Sequence, residues 1–249
     1  MAPRPARPAR RLRTAALAVL LLAAGTACGG QQGGAPTAEV AGQSPARDRV
    51  GTLSLHTAQG PRACTASVVQ SPRRNLLVTA AHCVQTRRIG LLDGLVFTPG
   101  YRNGATPYGT WPVQAVTIDP RWAAGDDPEY DVAFVTVGPV DGRQVEDAVG
   151  GNPIGTGQGF GLPVSVTGYP NESDEPITCA VRTRSQSPTQ ERFDCGGYTD
   201  GTSGSPWVTE KGAVVGVIGG YQEGGSTPGT SYSVTFDQRV ADLYRKATT

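Results

Sequence analysis

Histidine, lysine and methionine are nearly missing from this sequence. Its 249 residues include two histidines, one methionine and only two lysines, Lys211 and Lys246. Two histidines cannot build a three-histidine metal centre. If the five cysteines are bonded to one another, no thiolate site remains either, so neither metal nor cofactor is expected. Charged residues make up 17% of the chain and hydrophobic residues 38%, both low for a helical globular protein. What the chain has instead is glycine (34) and proline (20), about a fifth of all residues. That falls just short of the composition at which disorder is the default, and many short strands joined by turns explain it better. The length suits one large all-β unit or two ordinary domains.

The net charge of +1 is an average of unequal parts. Residues 1–28 carry Arg4, Arg7, Arg10, Arg11 and Arg13 and no acid. Without them, 17 positive residues face 21 negative ones, a balance of −4 that argues against nucleic-acid binding. Behind these arginines runs TAALAVLLLAAGTA, residues 14–27, the one long apolar stretch. It is too short to span a bilayer comfortably and has the form of a signal peptide's central region. Small residues Gly25, Thr26 and Ala27 lead into Cys28, an arrangement that resembles a bacterial lipoprotein processing site. The resemblance implies a signal peptide over 1–27, cleavage before Cys28, a lipid on its sulfur and a protein held on the outer face of the cell membrane. An ordinary secretory signal peptide and an uncleaved anchor are the alternatives. Residues 28–48 are rich in Gly, Gln, Ala and Pro with few apolar side chains, and read as a flexible tether.

From Val50 onward, short apolar runs alternate with turn residues. VGTLSLH, CTASVV, NLLVTA, GLLDGLVF, VQAVTI, DVAFVTV, PVSVTGY, ITCAV, SPWVTE, GAVVGVIGG and SYSVTF have the length and β-branched content of strands. Phe236, Val240, Leu243 and Tyr244 fall on one face of a short terminal helix. Gly138–Gly157, poor in apolar residues, reads as a connection between two halves. The pattern predicts an all-β sandwich or a pair of barrels.

Three segments carry chemistry: Thr79-Ala80-Ala81-His82-Cys83, Tyr130-Asp131-Val132-Ala133-Phe134, and Asp200-Gly201-Thr202-Ser203-Gly204-Ser205-Pro206. A serine hydroxyl needs an imidazole to take its proton, and the imidazole needs a carboxylate to fix its tautomer. His56 lacks any surrounding motif. Asp126 and Asp127 sit in a GDDP turn, where aspartate is expected for turn reasons. Asp131 instead opens an apolar run, where an acid is costly unless partnered. Ser203 is favoured over Ser205 because Gly201 and Gly204 permit a tight turn around it, while Pro206 restricts Ser205.

The chain order His–Asp–Ser, with TAAHC, DVAFV and GTSGSP, resembles the chymotrypsin-like serine proteases. Within them it is similar to the bacterial branch of glutamyl endopeptidases and actinobacterial trypsin-like peptidases, over roughly Val50 to Ala247. The resemblance implies two antiparallel six-stranded Greek-key barrels, residues 49–140 and 141–235, with the active site between them and a C-terminal helix over 236–249. It implies a serine endopeptidase acting on peptide or protein substrates as a monomer, with His82, Asp131 and Ser203 as its triad and the N–H groups of Gly201 and Ser203 as its oxyanion hole. A protease-like surface binding protein without activity, or an esterase on the same fold, are the rival readings. Besides Cys28, four cysteines can pair in three ways. The resemblance implies a Cys64–Cys83 bridge beside the histidine, with Cys179 and Cys195 then bonded to each other.

Two departures from the family matter. Animal members carry an acid immediately before the nucleophile, which pairs with a new N-terminus after zymogen cleavage; here that position is Thr202, so activation by an inserted amine is not expected. Trypsin-type members keep an aspartate six residues before the serine, where this chain has Gly197. The glutamate-binding positions of the glutamyl endopeptidases fall on Tyr198 and Ile218. With Asp200, Gly219, Gly220 and Tyr221, these residues are the expected pocket, and it leans toward a neutral side chain before the scissile bond.

Overall fold

Short β-branched runs become short strands. In the computed structural model, residues 1–3, 34–86 and 90–249 are described. The leader and Cys28 lie outside them. In chain order the strands are β1 (Glu39–Val40), β2 (Val50–Leu55), β3 (Arg62–Val69), β4 (Leu76–Thr79), β5 (Gln85–Thr86), β6 (Gly90–Leu91), β7 (Leu95–Pro99) and β8 (Trp111–Ile118). They continue with β9 (Ala133–Val137), β10 (Pro163–Gly168), β11 (Ile177–Arg182), β12 (Arg184–Ser185), β13 (Gln190–Asp194), β14 (Pro206–Thr209), β15 (Val214–Val217) and β16 (Thr230–Val234). Among the described residues the α-helices are α1 (Pro120–Gly125), α2 (Val145–Val149) and α3 (Gln238–Thr248).

The N-terminal half closes into an antiparallel barrel in the order β2-β3-β4-β9-β8-β7. Leu53, Ala66, Val68, Leu77, Phe97, Trp111 and Val135 fill it. The unbroken apolar run of β4 is explained by burial on both faces. Leu77 points into the barrel, while Leu76 and Val78 join Phe134, Val240 and Leu243 in a second cluster under α3. Each such Leu or Phe contributes roughly 1.5–3 kcal/mol through removal from water. The helix starts after Asp237, whose side chain accepts from Arg239 N–H at its N-terminus.

The C-terminal half is built from a five-stranded sheet, β1-β11-β10-β14-β15, and a three-stranded sheet, β12-β13-β16. Gly219 N–H donates to Tyr232 O (2.9 Å) and Val217 N–H to Ser233 Oγ (3.0 Å), joining the two sheets where the ladder breaks. Phe193, Val166, Trp207, Val215 and Ile218 form the interior. The fold is a chymotrypsin-like double barrel.

Several expectations are revised. The string QERFD has no strand signal, yet it forms β13, with Gln190 and Glu191 buried on its two opposite faces. GLLDGLVF splits into β6 and β7 at a turn. The presumed connection over 138–157 holds α2, with Val145 wholly buried. Residues 34–48 do not read as a free tether in the structure. β1 adds to the edge of β11, pairing Glu39 with Thr178 and Val40 with Ile177, and Ala41 is wholly buried. Strand addition uses backbone groups, so a segment with few apolar side chains can still dock.

Candidate active site

The three motif segments meet where the barrels face each other. His82 stands on a single 3₁₀ turn, Ala81–Cys83, that follows β4. The turn is anchored by the buried Ala80 and Ala81 and by a disulfide from Cys83 to Cys64 on β3. Asp131 follows a second such turn, Pro128–Tyr130, in which Asp127 caps Glu129 N–H at 3.0 Å. Asp126 sits in the left-handed conformation that ends α1. Both neighbouring aspartates therefore shape the turn. Asp131 is wholly buried, and its two oxygens accept three hydrogen bonds. His82 N–H donates to Oδ1 at 2.9 Å, and His82 Nδ1 and Gly220 N–H lie 2.8 Å from Oδ2. A buried carboxylate is tolerated only when its oxygens are met this way.

With Nδ1 engaged by Asp131, the imidazole has Nε2 free to work on a substrate-side proton. Burial opposes the charged imidazolium, but the Asp131 carboxylate outweighs it and Glu223 adds to it, so His82 titrates above its ordinary value. His82 is packed against the buried Trp122, ring centroids 6.5 Å apart, whose indole N–H donates to Gln85 O.

Ser203 lies in the loop between β13 and β14, held from the other barrel by Thr65. Thr65 N–H donates to Ser203 O (2.8 Å), and Thr65 Oγ1 donates to Gly201 O (2.9 Å) and accepts from Tyr169 N–H (3.0 Å). Gly204 has φ +80°, and a Cβ there would stand 2.1 Å from Thr79 Oγ1 and 2.2 Å from Thr65 O, so only glycine fits. Gly201 has φ +92° and is equally crowded, by Asn171 and Tyr169 O. Ser205 is wholly buried, and its Oγ donates to Thr202 O at 2.6 Å, so it is committed to the loop. Thr202 is buried and donates to Thr199 O at 2.6 Å. Among the described residues no acceptor takes the N–H of Gly201 or Ser203.

His82 and Ser203 line one cleft of about 790 Å³. Of the expected pocket residues, Tyr198, Asp200 and Ile218 line it with Gly201. Gly197, Gly219, Gly220 and Tyr221 do not. Gly197 backs onto Ala38; Gly219 and Gly220 turn toward Asp131 and Gln190; and exposed Tyr221 packs edge-on to Tyr232 at 5.0 Å. The wall comes instead from residues 222–228, together with Asn171 and Glu172. Gln222 and Glu223 both adopt the left-handed conformation (φ 52° and 53°), which swings Glu223 toward the cleft. The glycines of GGYQEGG signal a turn, but nothing in that string tells its direction.

Cys64, Cys83 and His82 place three ligand-type atoms close together. The two sulfurs are bonded to each other and Nδ1 is taken by Asp131, so this cluster has no donor set for a metal. Cys179 and Cys195 form the second disulfide.

The model of the trypsin-like peptidase domain matches residues 64–217, spanning the histidine, the aspartate and the serine. The chain belongs to the trypsin-like peptidase family. As a member of that family it is similar to solved proteases. The thermostable serine protease AL20 from an extremophilic microorganism is 26% identical, with a TM-score of 0.72 over 82% of this chain and 99% of that one. Protease Anisep from Arthrobacter nicotinovorans is 24% identical, with a TM-score of 0.71 over 81% and 95%, and shares the fold. A curated relative, the extracellular metalloprotease of Bacillus subtilis (strain 168), is 29% identical over 107 residues, 43% of this chain. The chain spans about a third (33%) of that relative's length.

Proposed function

We propose that this trypsin-like peptidase is an exported serine endopeptidase that cuts peptide bonds through an acyl-enzyme. The observation that carries the reading is that His82, bonded to the buried Asp131, and the loop of Ser203, with two unengaged N–H groups, line one cleft. In this reading Ser203 Oγ attacks the scissile carbonyl and His82 Nε2 takes its proton. Asp131 holds the proton on Nδ1 and stabilises the imidazolium. The Gly201 and Ser203 N–H groups bind the developing oxyanion, a contribution of roughly 3–4 kcal/mol per donor. His82 then hands its proton to the leaving amine, a water molecule takes the amine's place, and the same steps in reverse release the acid and restore Ser203. The unbuffered charge of the cleft sets a broad preference. Glu172, Asp200 and Glu223 line it and, among the described residues, no lysine or arginine does, so substrates with acidic residues near the scissile bond are disfavoured. The arginine-rich leader, the apolar run and Cys28 support export and a lipid anchor on the outer face of the membrane.

Digestion of an unbiased peptide library by the purified protein tests this. Cleavage with depletion of Asp and Glu around the cut, lost in Ser203→Ala, is the expected result. No cleavage by folded wild type would refute the enzymatic reading.

A further inference from the structure

The segment just before the first barrel lies behind the substrate cleft. Ala38 N–H donates to Gly196 O at 2.8 Å, and Gly196 N–H donates back to Pro36 O at 2.7 Å. Ala41 N–H donates to Pro176 O at 2.8 Å, and β1 pairs with β11 between these two ties. Arg102 fixes the far end. One of its guanidinium nitrogens donates to Ala41 O and the other meets Glu175 at 2.6 Å. The methyl of Ala38 lies 3.5 Å from where a side chain on Gly197 would begin.

The stretch held in this way leads directly to the nucleophile loop. Cys195 N–H and Gly197 N–H donate to Gly229 O and Pro228 O, both at 3.0 Å, tying the same stretch to the end of the 222–228 cleft wall. Next comes Tyr198, whose hydroxyl donates to Val166 O at 2.8 Å. Then comes Thr199, whose carbonyl accepts both the N–H and the hydroxyl of Thr202. Residues 36–38 and 228–229 thus grip 195–197 from two sides, a few residues before the amides of Gly201 and Ser203. The residue before the nucleophile, Thr202, is neutral, buried and bonded inside the loop, so no ion pair at that position orders it.

We infer that residues 36–41 are a positioning strap, which holds the Gly196–Gly197 segment, and through it the Gly201 and Ser203 amides, in the arrangement that binds an oxyanion. The ordering comes from backbone strand addition to a sheet edge rather than from a buried charge. This rests on the protease reading above and adds to it a reason why the cleft is formed without an inserted amine. Because linkage is reciprocal, a ligand that occupies the oxyanion hole must in turn tighten the strap.

A peptide boronate, which adds to the serine and places an oxygen in the oxyanion hole, tests the inference on the full chain. Ala38→Pro removes the N–H that Gly196 O accepts, Ala38→Ser keeps it, and Glu39→Ala alters an exposed side chain on the same strand. Ala38→Pro should lose tenfold or more in both boronate affinity and kcat, with KM changed less than threefold. Ala38→Ser and Glu39→Ala should stay within twofold of wild type. Folded Ala38→Pro that binds boronate as wild type does would overturn the inference, leaving the protease reading intact. Should Ala38→Pro not fold, hydrogen exchange in wild type decides. Boronate should slow exchange at Ala38 and Gly196 along with Gly201 and Ser203, and unchanged exchange at Ala38 and Gly196 overturns the strap. Wild type that binds no boronate refutes the protease reading and the strap with it.

Discussion

Glu191 offers a quantitative test of the C-terminal barrel. It lies on β13, 2% exposed, and its Oε2 has no hydrogen-bond partner among the described residues. Burial raises its pKa to about 8, against a weaker opposing hydrogen bond from Thr183. In the unfolded chain a glutamate titrates near its ordinary value of about 4.3. Between those two values the folded protein holds a proton that the unfolded chain has released, so stability falls as pH rises. At 1.36 kcal/mol per unit, the loss is about 3–4 kcal/mol by pH 7 and levels off at about 5 kcal/mol above pH 8. Glu191→Gln cannot ionise and escapes this loss. Relative to wild type it should gain nothing at pH 4 and progressively more toward pH 8. At about 2–4 °C per kcal/mol for a domain of this size, its melting temperature at pH 7 should be higher by roughly 6–15 °C. Calorimetry of both proteins from pH 4 to 9 gives the difference directly. A difference that stays constant with pH, or that shrinks as pH rises, would refute the reasoning about Glu191.

Further predictions concern the cleft. His82 must be neutral to act as a base, and Glu223 contributes to holding its pKa up, so Glu223→Gln should move the acid limb of kcat/KM to lower pH. Glu223 is exposed, so the shift should shrink in high salt, and a limb that stays in place at low salt would contradict the assignment. Gly204→Ala combines a left-handed φ with clashes against the Thr79 hydroxyl and the Thr65 carbonyl and should cost roughly 2–5 kcal/mol in denaturant unfolding; a loss under 1 kcal/mol would argue against the tight loop. Asp131→Asn keeps the shape but loses tautomer control, so kcat should fall roughly 10⁴-fold with little change in KM.

How much of this was legible in the sequence follows from what each residue does. His82, Asp131 and Ser203 stand out because each sits in a local context set by chemistry: a buried turn after a strand, an acid before an apolar run, and a serine between obligatory glycines. The apolar strands are equally plain, since burial imposes their composition. β13 is hidden because the polar Gln190 and Glu191 are both buried, one on each face of the strand. Gln190 is used there as a clamp, its amide donating to Pro128 O (3.0 Å) and accepting from Tyr221 N–H (3.1 Å). The cleft wall over 222–228 depends on two consecutive left-handed residues that no propensity foretells. The docking of 36–41 is made, apart from the Arg102 guanidinium, by backbone atoms, which every sequence has, so side-chain composition could not reveal it.

The central claim is that Ser203, activated by His82 and Asp131, is the nucleophile. A fluorophosphonate probe tests it most directly, with the modified residue located by mass spectrometry on folded protein. The account predicts a single adduct on Ser203 that forms more slowly as pH falls through the His82 titration, vanishes in Ser203→Ala and persists in Ser205→Ala. No adduct on the folded wild type, or an adduct on Ser205, would contradict it.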